Sequence, residues 1–160
     1  MRQLNKLMSA KILPKTKQRK LPYKLTMYKL RKMYKILNEE LFNNCLPIPI
    51  LRIKKSYRGA FGHCFGEDWE LSRNGSCCEI VLTDRWFSQQ WAVIALAHEM
   101  VHQYQWDITS KSRVKKGLTP IMSHGPSFVK FRKTFAKKGL PLNRHYSVSK
   151  WYQTQNFFKC

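Results

Sequence analysis

The stretch that most constrains this chain is the apolar run from Trp91 to Trp106, because Ala97-His98-Glu99-Met100-Val101-His102 lies in its middle. Trp91 to Ala97 contains no Gly or Pro, and Ser88 stands where an N-cap belongs, so the run reads as a helix. On a helix, residues four apart share a face one turn apart. His98 and His102 then present two imidazoles to one point, with Glu99 beside them. This is the form H-E-x-x-H, in which two neutral imidazoles bind one Zn²⁺ and the carboxylate takes a proton from the water at the metal. Ordinary residue frequencies give the pattern by accident about once in two hundred chains of this size. Ile94, Ala97 and Val101 also form an apolar stripe at helical spacing, and His, Glu and His on such a helix need something to offset their desolvation.

Catalytic zinc takes three protein ligands and keeps one position open. Downstream of His102 stand His124 and His145; upstream is His63, in predicted strand territory at Gly62-His63-Cys64. His124, in Ser123-His124-Gly125-Pro126-Ser127-Phe128, precedes a helix with Pro126 in its first turn. A loop ending at that helix brings His124 back toward the metal helix, which makes it the best third ligand. His145 has no such framing. No oxyanion donor can be distinguished between Tyr104 and His145.

The order of these pieces resembles a family. A helix ending near Asn38-Glu39-Glu40-Leu41-Phe42, then Leu46-Pro47, a strand region, the His98-Glu99-x-x-His102 helix and the His124-Gly125-Pro126 segment are similar to the SprT-like metallopeptidases. Their relatives include the Spartan proteases, which digest proteins crosslinked to DNA. The likeness covers roughly Leu25 to Leu140. It implies an α+β, zincin-like single domain with an N-terminal helix, a small three-stranded sheet, the active-site helix and a C-terminal helix. It also implies one Zn²⁺ on His98, His102 and His124, with Glu99 as general base. The chain departs from the fuller pattern: Cys45, Cys64, Cys77, Cys78 and Cys160 contain no C-x-x-C pair, so the family's zinc ribbon is not expected here.

Charge points to a partner. The chain of 160 residues has 30 Lys+Arg against 9 Asp+Glu, a formal net charge of +21. Met1 to Asn38 holds 12 basic and no acidic residues, and the segment after Asp107 again holds 12 and none, while all 9 acidic residues fall between. Such ends suit a polyanion, most simply single-stranded or duplex DNA, with proteins bound to nucleic acid as the substrates. An anionic membrane surface is the runner-up. No run approaches the ~20 apolar residues of a membrane span, and no apolar leader segment follows Arg2. An odd cysteine count without framework spacing fits a reducing compartment, so an intracellular, DNA-associated monomer is expected, not a secreted one.

The remaining segments divide the chain into a basic flexible arm (1–24), a metallopeptidase domain (25–142) and a basic aromatic tail (143–160). Within the domain, Thr26 to about Asn43 is predicted helical, with Leu30, Met33, Leu37 and Leu41 inward. Leu51–Lys54, Tyr57–Phe65 and Glu79–Thr83 are predicted strands, with Glu67–Ser76 a loop. Trp106–Met122 is expected to follow the helix of His98 and His102 with Lys111, Arg113, Lys115 and Lys116 in a polar loop, and Pro126–Lys138 to form one helix closed by Gly139. Two other functions stay open: a zinc peptidase indifferent to DNA, and a non-catalytic nucleic-acid-binding factor with a structural metal. An intact Glu99 argues against the second, since metal binding does not need it.

Overall fold

Residues Arg2–Met8 form a helix, α1, in the computed structural model, which describes residues 2–9, 23–55, 61–66, 75–76 and 78–144. These first residues of the basic arm are helical: Leu4 is buried and Leu7 and Met8 pack against the core, because the apolar residues recur at helical spacing among the basic ones. The last carbonyls of α1 accept from side chains of a later helix, Leu7 O from Gln89 Nε2 at 2.9 Å and Met8 O from Gln90 Nε2. The rest of the predicted arm, from 10 to 22, lies outside the described residues.

After the short strand β1 (Tyr23–Lys24) comes α2 (Met27–Phe42). Thr26 caps it by accepting from the Lys29 N–H at 3.4 Å. It ends because Asn43 and Asn44 take left-handed backbone, φ 52° and 57°, which asparagine tolerates better than most residues. Leu30, Met33, Leu37 and Leu41 are buried as expected, joined by Tyr34, Ile36 and Phe42. Asn38 is buried too, because its amide donates to Leu46 O at 2.9 Å and accepts from Leu46 N–H at 3.2 Å. That exchange fixes the chain as it leaves the helix.

The predicted three-stranded sheet is present as β2 (Ile50–Lys54), β3 (Gly62–Gly66) and β4 (Cys78–Thr83), in the order β2-β4-β3. Central β4 runs parallel to β2 and antiparallel to β3, with Cys64 opposite Ile80. The sequence did not reveal which strands form the edges; they are β2 and β3. Thr83 N–H donates to Phe61 O at 3.0 Å, so by the antiparallel alternation Gly62, Cys64 and Gly66 turn their backbone groups away from β4. A second pair, β1 with β5 (Arg85–Trp86), closes the chain just before the next helix.

That helix is α3 (Gln89–Gln103). Ser88 caps it, accepting from Trp91 N–H at 3.4 Å. Every residue from Gln90 to Gln103 is buried, so the predicted apolar stripe understates its position: α3 runs through the core, against β3, α1 and α2.

Where a polar loop is expected after Trp106, the helix continues as a π-helical turn, Tyr104–Ser110, and then α4 (Lys111–Val114). The reason is that its polar residues satisfy one another. Gln103 Nε2 donates to Pro47 O at 2.7 Å and to Asp107 Oδ2 at 3.0 Å, and Ser76 Oγ donates to Asp107 Oδ2 at 2.6 Å. Only after α4 does the chain turn out, at Gly117 with φ 71°.

The expected single C-terminal helix is two, α5 (Pro126–Val129) and α6 (Arg132–Lys137). Phe131 N–H bonds to Phe128 O, three residues back instead of four, and breaks the ladder. The break lets Phe128 face α3 while Phe131 and Phe135 pack on Phe42, at ring separations of 5.5 and 6.1 Å. Gly139 closes α6 as predicted. Among the described residues no helix is long and apolar enough to cross a membrane.

Candidate metal centre

Three histidines meet at one point. His98 and His102 come from successive turns of α3, and His124 comes from the segment that Pro126 turns into α5. Their ligand atoms all lie within 4.8 Å of one another. His124 Nε2 stands 3.1 Å from His98 Nε2 and 3.2 Å from His102 Nε2. Phe128 makes the apolar floor, its ring 4.9, 5.1 and 4.8 Å from those of His98, His102 and His124.

The partners of the other ring nitrogens settle the tautomers. His98 Nδ1 lies 3.1 Å from Asn143 O, and a carbonyl only accepts, so Nδ1 carries the proton. His102 Nδ1 lies 2.9 Å from Gln105 Oε1. The orientation of that amide is itself fixed. Gln105 Nε2 donates to Ser123 O and Ser127 Oγ, each at 2.7 Å, while Oε1 accepts from Ser123 N–H at 3.3 Å. So His102 also donates from Nδ1. Both Nε2 atoms then carry lone pairs aimed at His124. A single Nε2–H on His124 would satisfy one of them; a cation satisfies all three. The donor set fits a metal ion.

Charge agrees with geometry. Burial, chiefly, pushes His102 down to about 4, opposed by its bond to Gln105. At neutral pH it is the neutral imidazole that a metal requires.

Glu99 is buried beside this cluster, its carboxylate accepting from the Cys64 backbone N–H that β3 turns outward. Burial outweighs that bond and pushes the carboxyl up to about 8. Gly62 makes the approach possible, since a Cβ there would stand 2.7 Å from Leu82 Cδ2 and 3.1 Å from Glu99 Oε1. Gly66 does the same for Trp106, whose ring would lie 2.3 Å from an added Cβ.

Residues that the sequence did not single out supply much of this support. Gln105 lies three positions past His102 and carries no motif. Asn143 falls beyond the predicted domain boundary at 142, yet Leu140 and Leu142 are buried and return the chain so that its carbonyl meets His98. The only advance signal was the apolar spacing of Leu140 and Leu142. Of the oxyanion candidates, Tyr104 packs against Phe131 at 4.9 Å, and His145 lies outside the described residues. His63, the upstream alternative ligand, is exposed on β3 with its ring 4.2 Å from Phe65. Cys64 and Cys78 are buried free thiols. A hydrogen bond with Cys64 and burial push the Cys78 thiol up, so it is no reactive thiolate. Cys77 is outside the described residues.

Neither family models nor curated protein sequences give a match to this chain. The chemistry of the site therefore rests on its own residues.

Proposed function

We propose that this chain is a zinc-dependent endopeptidase of the SprT-like type, with a zincin-like domain, that associates with DNA and cleaves proteins bound or crosslinked to it. The observation that carries the reading is the convergence of His98, His102 and His124 on one point, with buried Glu99 beside them. Three histidines leave a fourth position of a tetrahedral ion open, as catalytic zinc sites do and closed structural sites do not. Bound there, zinc supplies a Lewis acid and brings the pKa of a water toward ~7.

The chain's own residues do the rest. Glu99, ionised when a cation on the histidines offsets its burial, takes the water's proton on its carboxylate and returns it to the leaving amine. Cys64 N–H aims that carboxylate, and Gly62 leaves it room. Gln105 and the Asn143 carbonyl hold the imidazoles in the ligating tautomer. Of the two edge strands, β3 is the one that lies against α3, which favours it over β2 for pairing with an extended peptide. The acid-free basic ends favour DNA as the place of action.

The test is cleavage of a DNA-binding protein by the zinc-loaded chain with no DNA, with single-stranded DNA and with duplex. Cleavage that requires DNA is expected. Cleavage indifferent to DNA leaves a general peptidase, and none under any condition leaves a binding factor with a structural metal.

A further inference from the structure

The outward face of α2 takes no part in the metal centre. Tyr28, Arg31, Lys32 and Lys35 are exposed there, and at 3.6 residues per turn they fall within one arc of roughly 100°. Tyr28 is 74% exposed, the highest value for a large hydrophobic side chain among the described residues. No acidic residue precedes Glu39 in the helix, and Glu39, exposed four residues past Lys35, closes the same arc at its C-terminal end. Arg31, Lys32 and Lys35 form no ion pair with any described residue.

A merely hydrated face would not be built this way. Arg31 and Lys35, four apart, and Lys32 and Lys35, three apart, set like charges above one another, which destabilises a helix. A bare aromatic ring among these cations adds apolar surface left in water. All of these costs are reversed by one kind of occupant, a flexible polyanion with exposed flat bases.

We propose that the outward face of α2 binds single-stranded nucleic acid, with Tyr28 stacked on a base and Arg31, Lys32 and Lys35 against backbone phosphates. The inference rests on the nucleic-acid part of the proposed function and not on the peptidase part. The opposite face of the same helix carries Tyr34, whose hydroxyl donates to Gln103 Oε1 at 3.0 Å, next in sequence to His102. A strand on α2 is thereby held one helix away from the metal centre.

The experiment is fluorescence anisotropy of labelled oligothymidylate and of a matched duplex with the full chain, across about 50 to 200 mM salt. Phosphatidylserine vesicles form a third arm. Wild type should bind the single strand more tightly than the duplex. R31Q/K32Q/K35Q should weaken single-strand binding at least roughly tenfold and flatten the log–log salt slope by about 2. Tyr28→Ala should weaken it roughly tenfold with no change of slope, and Tyr28→Phe should restore it. Tyr28 is exposed, so those two variants carry the test if the triple variant does not fold. Undiminished binding and slope in the variants would overturn this surface while leaving nucleic-acid binding in place. No binding by wild type would overturn both. Losses on vesicles alone would assign the face to a membrane and overturn the proposal.

Discussion

Gln105 Oε1 accepts the Nδ1 proton of His102 at 2.9 Å, and the same amide donates to Ser123 O at 2.7 Å. One buried side chain thus joins the ligand on α3 to the segment that carries the ligand on the other side. The π-helical turn puts it there, by following the α-helix without a gap and widening just past His102.

Gln105→Ala should therefore lower zinc affinity by about 10- to 100-fold, measured by chelator competition. Gln105→Glu keeps an acceptor for His102 but loses both donations and sets a carboxylate against the Ser123 carbonyl, so it should not rescue. Wild-type affinity in either variant would contradict the clamp.

The metal-free protein should lose stability as pH rises from about 6.5 to 8. Burial raises the folded Glu99 carboxyl to about 8, above its unfolded value of ~4.3. Its stabilisation is complete below the unfolded value and is lost as pH climbs toward the folded one. His102 has the opposite sign: lowered to about 4, it costs stability as pH falls from ~6.5. Above ~6.5 only Glu99 of this pair acts. The loss to pH 8 is about 2 kcal/mol, or roughly 5 °C in Tm. Thermal melts of Glu99→Gln should lack that alkaline decline; an equal decline in the variant would remove Glu99 as its cause.

Two glycines on β3 should separate packing from chemistry. Gly66→Ala puts a methyl 2.3 Å from the Trp106 ring and should cost about 1–3 kcal/mol of stability. Gly62→Ala presses on Leu82 and on the Glu99 carboxylate. It should lower kcat at least roughly tenfold while zinc content holds, since the histidines are untouched and a small misplacement of a reacting group is costly. Zinc content falling in step with kcat would show that Gly62 shapes the metal site instead.

How much of this was legible in the sequence follows from how local each signal is. The helix of His98 and His102, its Ser88 cap and strand β4 were readable because spacing and capping act over a few residues. The meeting of His124 with them needed only the inference that Pro126 opens a helix. The part of the π-helical turn past Trp106 was read as loop because Asp107 and Ser110 look like surface residues. The partners of that turn and of Gln103 before it, Pro47, Ser76, Ser123 and Ser127, are distant in sequence, and burial was paid for only by those bonds. The break between α5 and α6 was hidden because Phe128, Phe131 and Phe135 fit one helical face, yet they serve two neighbours, the histidines and Phe42. Helix α1 was masked by its basic residues, although Leu4, Leu7 and Met8 gave the period.

The proposed peptidase activity stands on Glu99 acting at a metal held by His98, His102 and His124. The direct measurement is cleavage of a DNA-bound protein by wild type and Glu99→Gln, each carrying the same zinc content by elemental analysis. About one zinc per chain is expected in both, with cleavage in wild type and at least a roughly hundredfold loss in the variant. Equal cleavage by the two proteins at matched zinc would contradict it.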